Sequence, residues 1–228
     1  MKVCGMREPE NISQVLALPL DYMGFVFYEK SPRFADSPGL ESWVHKNDHL
    51  FASVKKVGVF VNAEIERVLN IVHDYQLDYV QLHGNESPEY CSELKQYWSI
   101  STLHPAKIIK AFAVDEHFDF EETRQYEGWC AYFLFDTKTP EHGGSGKTFD
   151  WSLLQQYSGI TPFFLSGGIG VEAAESIRQL KIPALYGVDV NSRFETAPGV
   201  KDVEKLKEFM AQFGGTVDSL PRDIGGGR

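Results

Sequence analysis

Short apolar runs alternate along the chain with longer stretches in which apolar positions recur every three or four residues. Eight of the short runs read as strands: "KVCG" (2–5), "YMGFVFY" (22–28), "KVGVFVN" (56–62), "YVQLHG" (79–84), "KIIKAFAV" (107–114), "YFLFDT" (132–137), "PFFLSGG" (162–168) and "LYGVDVN" (185–191). Most are β-branched or aromatic with little strict alternation, the pattern of parallel strands buried on both faces. The stretches between them read as helices. "NAEIERVLNIVHDYQ" opens with Asn62 as N-cap and places Ile65, Val68, Leu69 and Val72 on one face. "SPEYCSELKQYW" has Ser87 as cap and Pro88 at the first helical position. "GVEAAESIRQL" and "VKDVEKLKEFMAQF" show similar spacing, and weaker patterns place two further helices near 9–18 and 38–46.

Eight strands, each followed by one helix, fill about 213 residues, a repeat of roughly 25–27 residues that suits a (β/α)8 TIM barrel. A doubly wound sheet is the competing arrangement, and the count of eight favours closure. The expected organisation is one catalytic barrel domain over 1–213. The tail 214–228, "GTVDSLPRDIGGGR" with the preceding glycine, lacks apolar periodicity and is expected to be irregular.

The chain has 228 residues and a formal net charge of −10, which disfavours a long nucleic-acid interface. It leaves room for a small phosphorylated ligand at a locally cationic site. Cys4, Cys91 and Cys130 are far apart in sequence, with no CxxC and no Cys/His cluster at zinc spacing. This points to a reducing compartment and no structural metal. No run approaches membrane-spanning length, so a cytoplasmic protein is expected. "EHGGSGKTFDW" (141–151) ends like a P-loop at Gly146-Lys147-Thr148, but the position that needs the first glycine is Glu141, so a nucleotide-binding reading fails.

Barrel chemistry sits at the C-terminal ends of strands and in the loops after them. Those positions hold Cys4, Arg33, Asn62, His83, Asp136, the Gly143–Gly146 loop, Gly167-Gly168, Asp189 and Ser192. "SGGIG" (166–170) after strand 7 and "VDVNSRF" after strand 8 are candidate phosphate turns, where a helix N-terminus offers N–H groups to an anion. Asp136 ends the apolar run "AYFLFD", where partial desolvation would raise its pKa and suit it to donate a proton. Its structural alternative is to cap the following loop or pair with Lys138. Cys4 is either an inert buried thiol or a thiolate base. Arg33 is a carboxylate ligand or a solvated charge, His83 a site residue or a rim hydrogen bond, and Lys147 a phosphate contact or a solvated cation. The 14 residues from Thr137 to Asp150 are long for a βα loop and suggest a lid.

Taken together, "KVCG", "GFVFYEKSPR", "VGVFVN", "VQLHGNE", "FDTK…GGSGKTFDW", "FLSGGIG" and "GVDVNSRFE…PGVKD" resemble the phosphoribosylanthranilate isomerase family of tryptophan biosynthesis. The motifs occur in the family's order and reach to about residue 213. The resemblance implies that Cys4 is the general base, Asp136 the general acid and Arg33 the ligand of the anthranilate carboxylate. It implies phosphate binding by backbone around Gly144, Gly168 and Ser192, and makes "GGSGKTF" the mobile loop over the substrate. His83, Asp189 and Lys147 are accessory candidates. The implied reaction is a cofactor-independent, metal-free Amadori rearrangement of N-(5-phosphoribosyl)anthranilate in a monomer or homodimer. Two alternatives stand beside it. One is another phosphosugar barrel, such as indole-glycerol-phosphate synthase or the histidine-pathway isomerase, which uses an Asp where this chain has Cys4. The other is a non-catalytic phospholigand-binding barrel.

Overall fold

The computed structural model describes residues 1–100, 105–137 and 150–213. All of the expected lid (137–149) except Thr137, Gly144 and Lys147 included, and the 214–228 tail lie outside the described residues. All eight predicted strands form: β1 (Lys2–Val3), β2 (Tyr22–Val26), β3 (Lys55–Phe60), β4 (Tyr79–Leu82), β5 (Lys107–Val114), β6 (Tyr132–Thr137), β7 (Phe163–Leu165) and β8 (Leu185–Val190). They pair in parallel and in sequence order, and β1 joins β8 to close the barrel. Pairing continues past β1 on both sides: the Cys4 N–H donates to Val190 O of β8 at 2.9 Å and the Met6 N–H to Gly24 O of β2 at 3.0 Å. No helix among the described residues is long and apolar enough to cross a membrane.

Near-complete burial of the strands explains their continuous apolar sequence. One face packs on the helices around the barrel and the other fills its interior. At the N-terminal end of the interior, Tyr22, Tyr79, Tyr132 and Tyr186 come one from each even-numbered strand, the layer arrangement expected of this fold, with Phe164 packed edge-on against Tyr22 and Tyr186. This plug blocks the bottom of the barrel and leaves the C-terminal mouth for ligands.

Helices α1 (Pro9–Leu16), α2 (Pro38–Lys46), α3 (Ile65–Tyr75) and α4 (Pro88–Ile100) surround the first half, and α5 (Ala174–Gln179) and α6 (Val203–Phe213) the end. Ser87 caps α4, its Oγ accepting from the Tyr90 N–H at 3.3 Å. Three details depart from the sequence reading. Asn62 is not a helix cap: it adopts φ +49°, its Oδ1 accepts from the Asn85 N–H, and α3 starts later, with Glu64 at the cap position. Among the described residues, the connections after β5 and β6 hold 3-10 turns and no α-helix, Phe120–Tyr126 and Trp151–Gln156, each opened by an Asp that accepts from the N–H two residues on. A hairpin, β9 (Glu195–Ala197) with β10 (Val200–Lys201), follows β8 and was not foreseen.

Candidate functional site

Alternation along β1 sends Val3 outward into the core under the helices and turns Lys2 and Cys4 toward the barrel interior. Cys4 lies against Val26 and Val59. Its sulfur fits because the facing residue is Gly24: a Cβ there would come within 2.6 Å of Cys4 Sγ. Lys2 is fully buried, and its Nζ lies 2.9 Å from Asp189 Oδ2 on β8, its register partner across the seam. Burial pushes the Cys4 thiol above its ordinary value, with Asp189 adding to the shift, and the cations Lys2 and Lys201 offset it only in part. Burial also works against the Lys2 ammonium, but Asp189 and Cys4 outweigh it and keep Lys2 charged.

Across the mouth, Asp136 is 8% exposed on β6. Its Oδ1 accepts from the Thr137 N–H at 2.8 Å and its Oδ2 lies 3.3 Å from His83 Nε2. No Asp136–Lys138 pair is described, since Lys138 lies outside the described residues. The Gln81 amide nitrogen is 2.8 Å from His83 Nδ1. An amide N–H donated there leaves the ring proton on Nε2, facing the Asp136 carboxylate. A buried strut holds His83 in place. Lys110 Nζ donates to Gly84 O at 2.8 Å and lies 3.2 Å from Glu86 Oε2, and Glu86 accepts from the Asn62 and Gly84 N–H groups. A cavity of about 590 Å3, lined in part by Lys110, Phe112, Phe118 and Tyr126, opens onto His83 and Asp136 from the β4–β6 side. Asp189 lies within electrostatic reach of Cys4, Asp136 and His83.

Arg33 is not a solvated charge. Its Nε lies 2.9 and 3.0 Å from the two Glu195 oxygens, and its Nη2 2.6 Å from Oε2. Lys201 Nζ is 2.5 Å from Glu195 Oε1 and 2.8 Å from Asn191 Oδ1. Burial raises the Glu195 carboxyl, but Arg33 and Lys201 together hold it below the usual range. Glu195 takes the side-on edge of the guanidinium. The end-on edge, with its Nη1 N–H groups, has no protein partner among the described residues and matches a planar carboxylate.

Gly167 and Gly168 follow β7 with φ +89° and +65°, and a Cβ at Gly167 would collide with Thr137. The element after them is a 3-10 turn (Val171–Ala173) leading into α5, not a single helix. Arg193 donates to Gly168 O at 3.3 Å and so ties this loop to the turn Ser192–Phe194 after β8. The two candidate phosphate segments are therefore neighbours. Sequence reasoning passed over Lys2, Glu195, Lys201 and the Lys110–Glu86 strut. Lys2 was detectable from its i, i+2 relation to Cys4 on one strand, and Lys110 from its place inside "KIIKAFAV". Nothing local pointed to Glu195 or Lys201.

A family model described as N-(5'-phosphoribosyl)anthranilate (PRA) isomerase matches residues 1–212. The chain is 51% identical over 213 residues to the N-(5'-phosphoribosyl)anthranilate isomerase of Parabacteroides distasonis, covering 93% of this chain and 92% of that one. Among solved structures, the phosphoribosyl anthranilate isomerase of Thermotoga maritima superposes with a TM-score of 0.79 at 36% identity, covering 94% of this chain and 98% of that one. A phosphoribosyl anthranilate isomerase in complex with reduced 1-(o-carboxyphenylamino)-1-deoxyribulose 5-phosphate superposes with a TM-score of 0.77 at 32% identity, again over 94% and 98%.

Proposed function

The chain belongs to the N-(5'-phosphoribosyl)anthranilate isomerase family, and from that premise we propose how its rim residues divide the work of the rearrangement. The reaction converts N-(5-phosphoribosyl)anthranilate into 1-(2-carboxyphenylamino)-1-deoxyribulose 5-phosphate, a step of tryptophan biosynthesis. Asp136 protonates the furanose ring oxygen as the C1–O bond breaks, which opens the sugar to a cationic Schiff base. That cation acidifies the C2–H bond. The Cys4 thiolate takes the C2 proton, the electron pair moves toward the imine nitrogen, and the resulting enolamine tautomerises to the ketone. One acid and one base at the two sides of the sugar suffice, with no change of redox state.

The remaining assignments follow the same orientation. Arg33, its side-on edge fixed by Glu195, offers its end-on edge to the anthranilate carboxylate. The backbone around Gly168 and Ser192 receives the phosphate where the loops after β7 and β8 meet. His83 orients the Asp136 carboxyl. The observation that carries this reading is the convergence of a buried thiol, a rim carboxyl and the paired glycine-rich turns at one mouth of the barrel.

The test is turnover of freshly made N-(5-phosphoribosyl)anthranilate, followed as the loss of its fluorescence. Cys4→Ala should lower kcat by roughly 10²–10⁴-fold while folding and product binding persist. Near-native turnover in that variant removes Cys4 from the mechanism.

A further inference from the structure

A base made from a thiol needs a reason to be a thiolate, and the burial of Cys4 works the other way. The barrel interior supplies one cation beside it on its own strand. Lys2 is fully buried, projects to the same interior face of β1 as Cys4, and its charge acts directly on the thiol. Burying an ammonium of no chemical use is costly, and a purely apolar residue would fill a barrel layer better. We propose that Lys2 is a positioning residue of the isomerisation: its ammonium, fixed by Asp189 across the β1–β8 seam, stabilises Cys4 as the thiolate that removes the C2 proton. The proposal rests on the reading of Cys4 as the base.

Among the described residues, the charged groups that act on Cys4 come from three elements. Lys2 is on its own strand, Asp189 on β8 and Lys201 on β10. Behind Asp189 stand Asp136 on β6 and His83 after β4. Arg33 packs over Gly5, the next residue, but its charge is taken up by Glu195. Lys2 is the strongest of the groups that favour the thiolate, and Asp189 acts against it. Asp189 therefore has two effects. It keeps Lys2 protonated and in place, and it limits how far the thiol is acidified. Proton transfer from C2 returns Cys4 to the thiol, with Lys2 unchanged.

The experiment uses the full chain and two readouts. The first is the ultraviolet absorbance of the thiolate against pH, taken as the difference from Cys4→Ser so that Cys91 and Cys130 cancel. The second is the acid limb of kcat/KM. Lys2→Met leaves Asp189 buried without its cation, so Lys2→Met/Asp189→Asn is made alongside it. In Lys2→Met the thiolate inflection and the acid limb should both move up by at least about one unit, and below the inflection kcat/KM should fall about tenfold or more. The double variant should show a smaller upward shift, because the opposing charge of Asp189 goes too. A merely structural Lys2 would change expression or melting temperature and leave the inflection where it is. An unshifted inflection in the folded variants overturns the proposal, whatever Cys4→Ala does. Turnover retained in Cys4→Ala overturns instead the base reading on which it rests.

Discussion

Gly24→Ala tests whether the position of the Cys4 sulfur limits the rate. Gly24 is not one of the positive-φ glycines, so the backbone accepts alanine and the perturbation is steric. The new Cβ would stand 2.6 Å from Cys4 Sγ and 3.2 Å from Cys4 Cα. Ordinary contact begins at about 3.5–4.0 Å, so the sulfur has to retreat by about 1 Å. Val26 and Val59 close the other side. Overpacking of this kind costs about 1–3 kcal/mol, and at this chain length each kcal/mol lowers Tm by about 2–4 °C. A displacement of about 1 Å at a reacting group costs on the order of 10²-fold in rate. The expected result, by fluorescence loss well below Tm, is a kcat reduced by that order with KM little changed. Gly58→Ala is the control. Its Cβ would press on Leu77 and Phe60, away from the thiol, so it should lose stability and keep kcat. Unchanged kcat in Gly24→Ala, or an equal loss in Gly58→Ala, would refute the reasoning.

Asp136→Asn should lower kcat far more than it changes KM, since the amide keeps the shape and cannot deliver the proton; steady-state kinetics decide this, and a defect confined to KM would mark a structural residue. Arg33→Met should weaken binding by roughly 1.5–3 kcal/mol and discriminate poorly between the anthranilate substrate and its aniline counterpart, measured as a ratio of kcat/KM values. Glu195→Gln leaves Arg33 and Lys201 facing each other without their shared anion, and urea unfolding at neutral pH should show a loss of roughly 3–5 kcal/mol. Because the folded Glu195 carboxyl is held below its unfolded value, its contribution is present above about pH 4.3 and disappears as pH falls through the folded value. The wild type should therefore lose more stability on acidification than Glu195→Gln, and parallel acid profiles would contradict the pairing.

The eight strands were legible in the sequence because a strand buried on both faces has to be apolar throughout, and that constraint is written locally. The runs 107–114 and 132–137 coincide with β5 and β6, and the Ser87-Pro88 start coincides with α4. The family motifs identified the mouth of the barrel and the residue types gathered there. The structure decided what those residues face. Asn62 looked like a cap and is instead captured by the loop after β4. Cys91 and Cys130, far apart in sequence, are both buried and close enough to perturb each other's titration. Arg33 meets Glu195 across 162 residues of chain, and Lys2 meets Asp189 only because β1 closes against β8. Helix and strand periodicity depend on residues a few positions apart, so a sequence displays them. The electrostatics of a thiol or a guanidinium depend on which charges share its low-dielectric surroundings, and barrel closure alone brings those charges together.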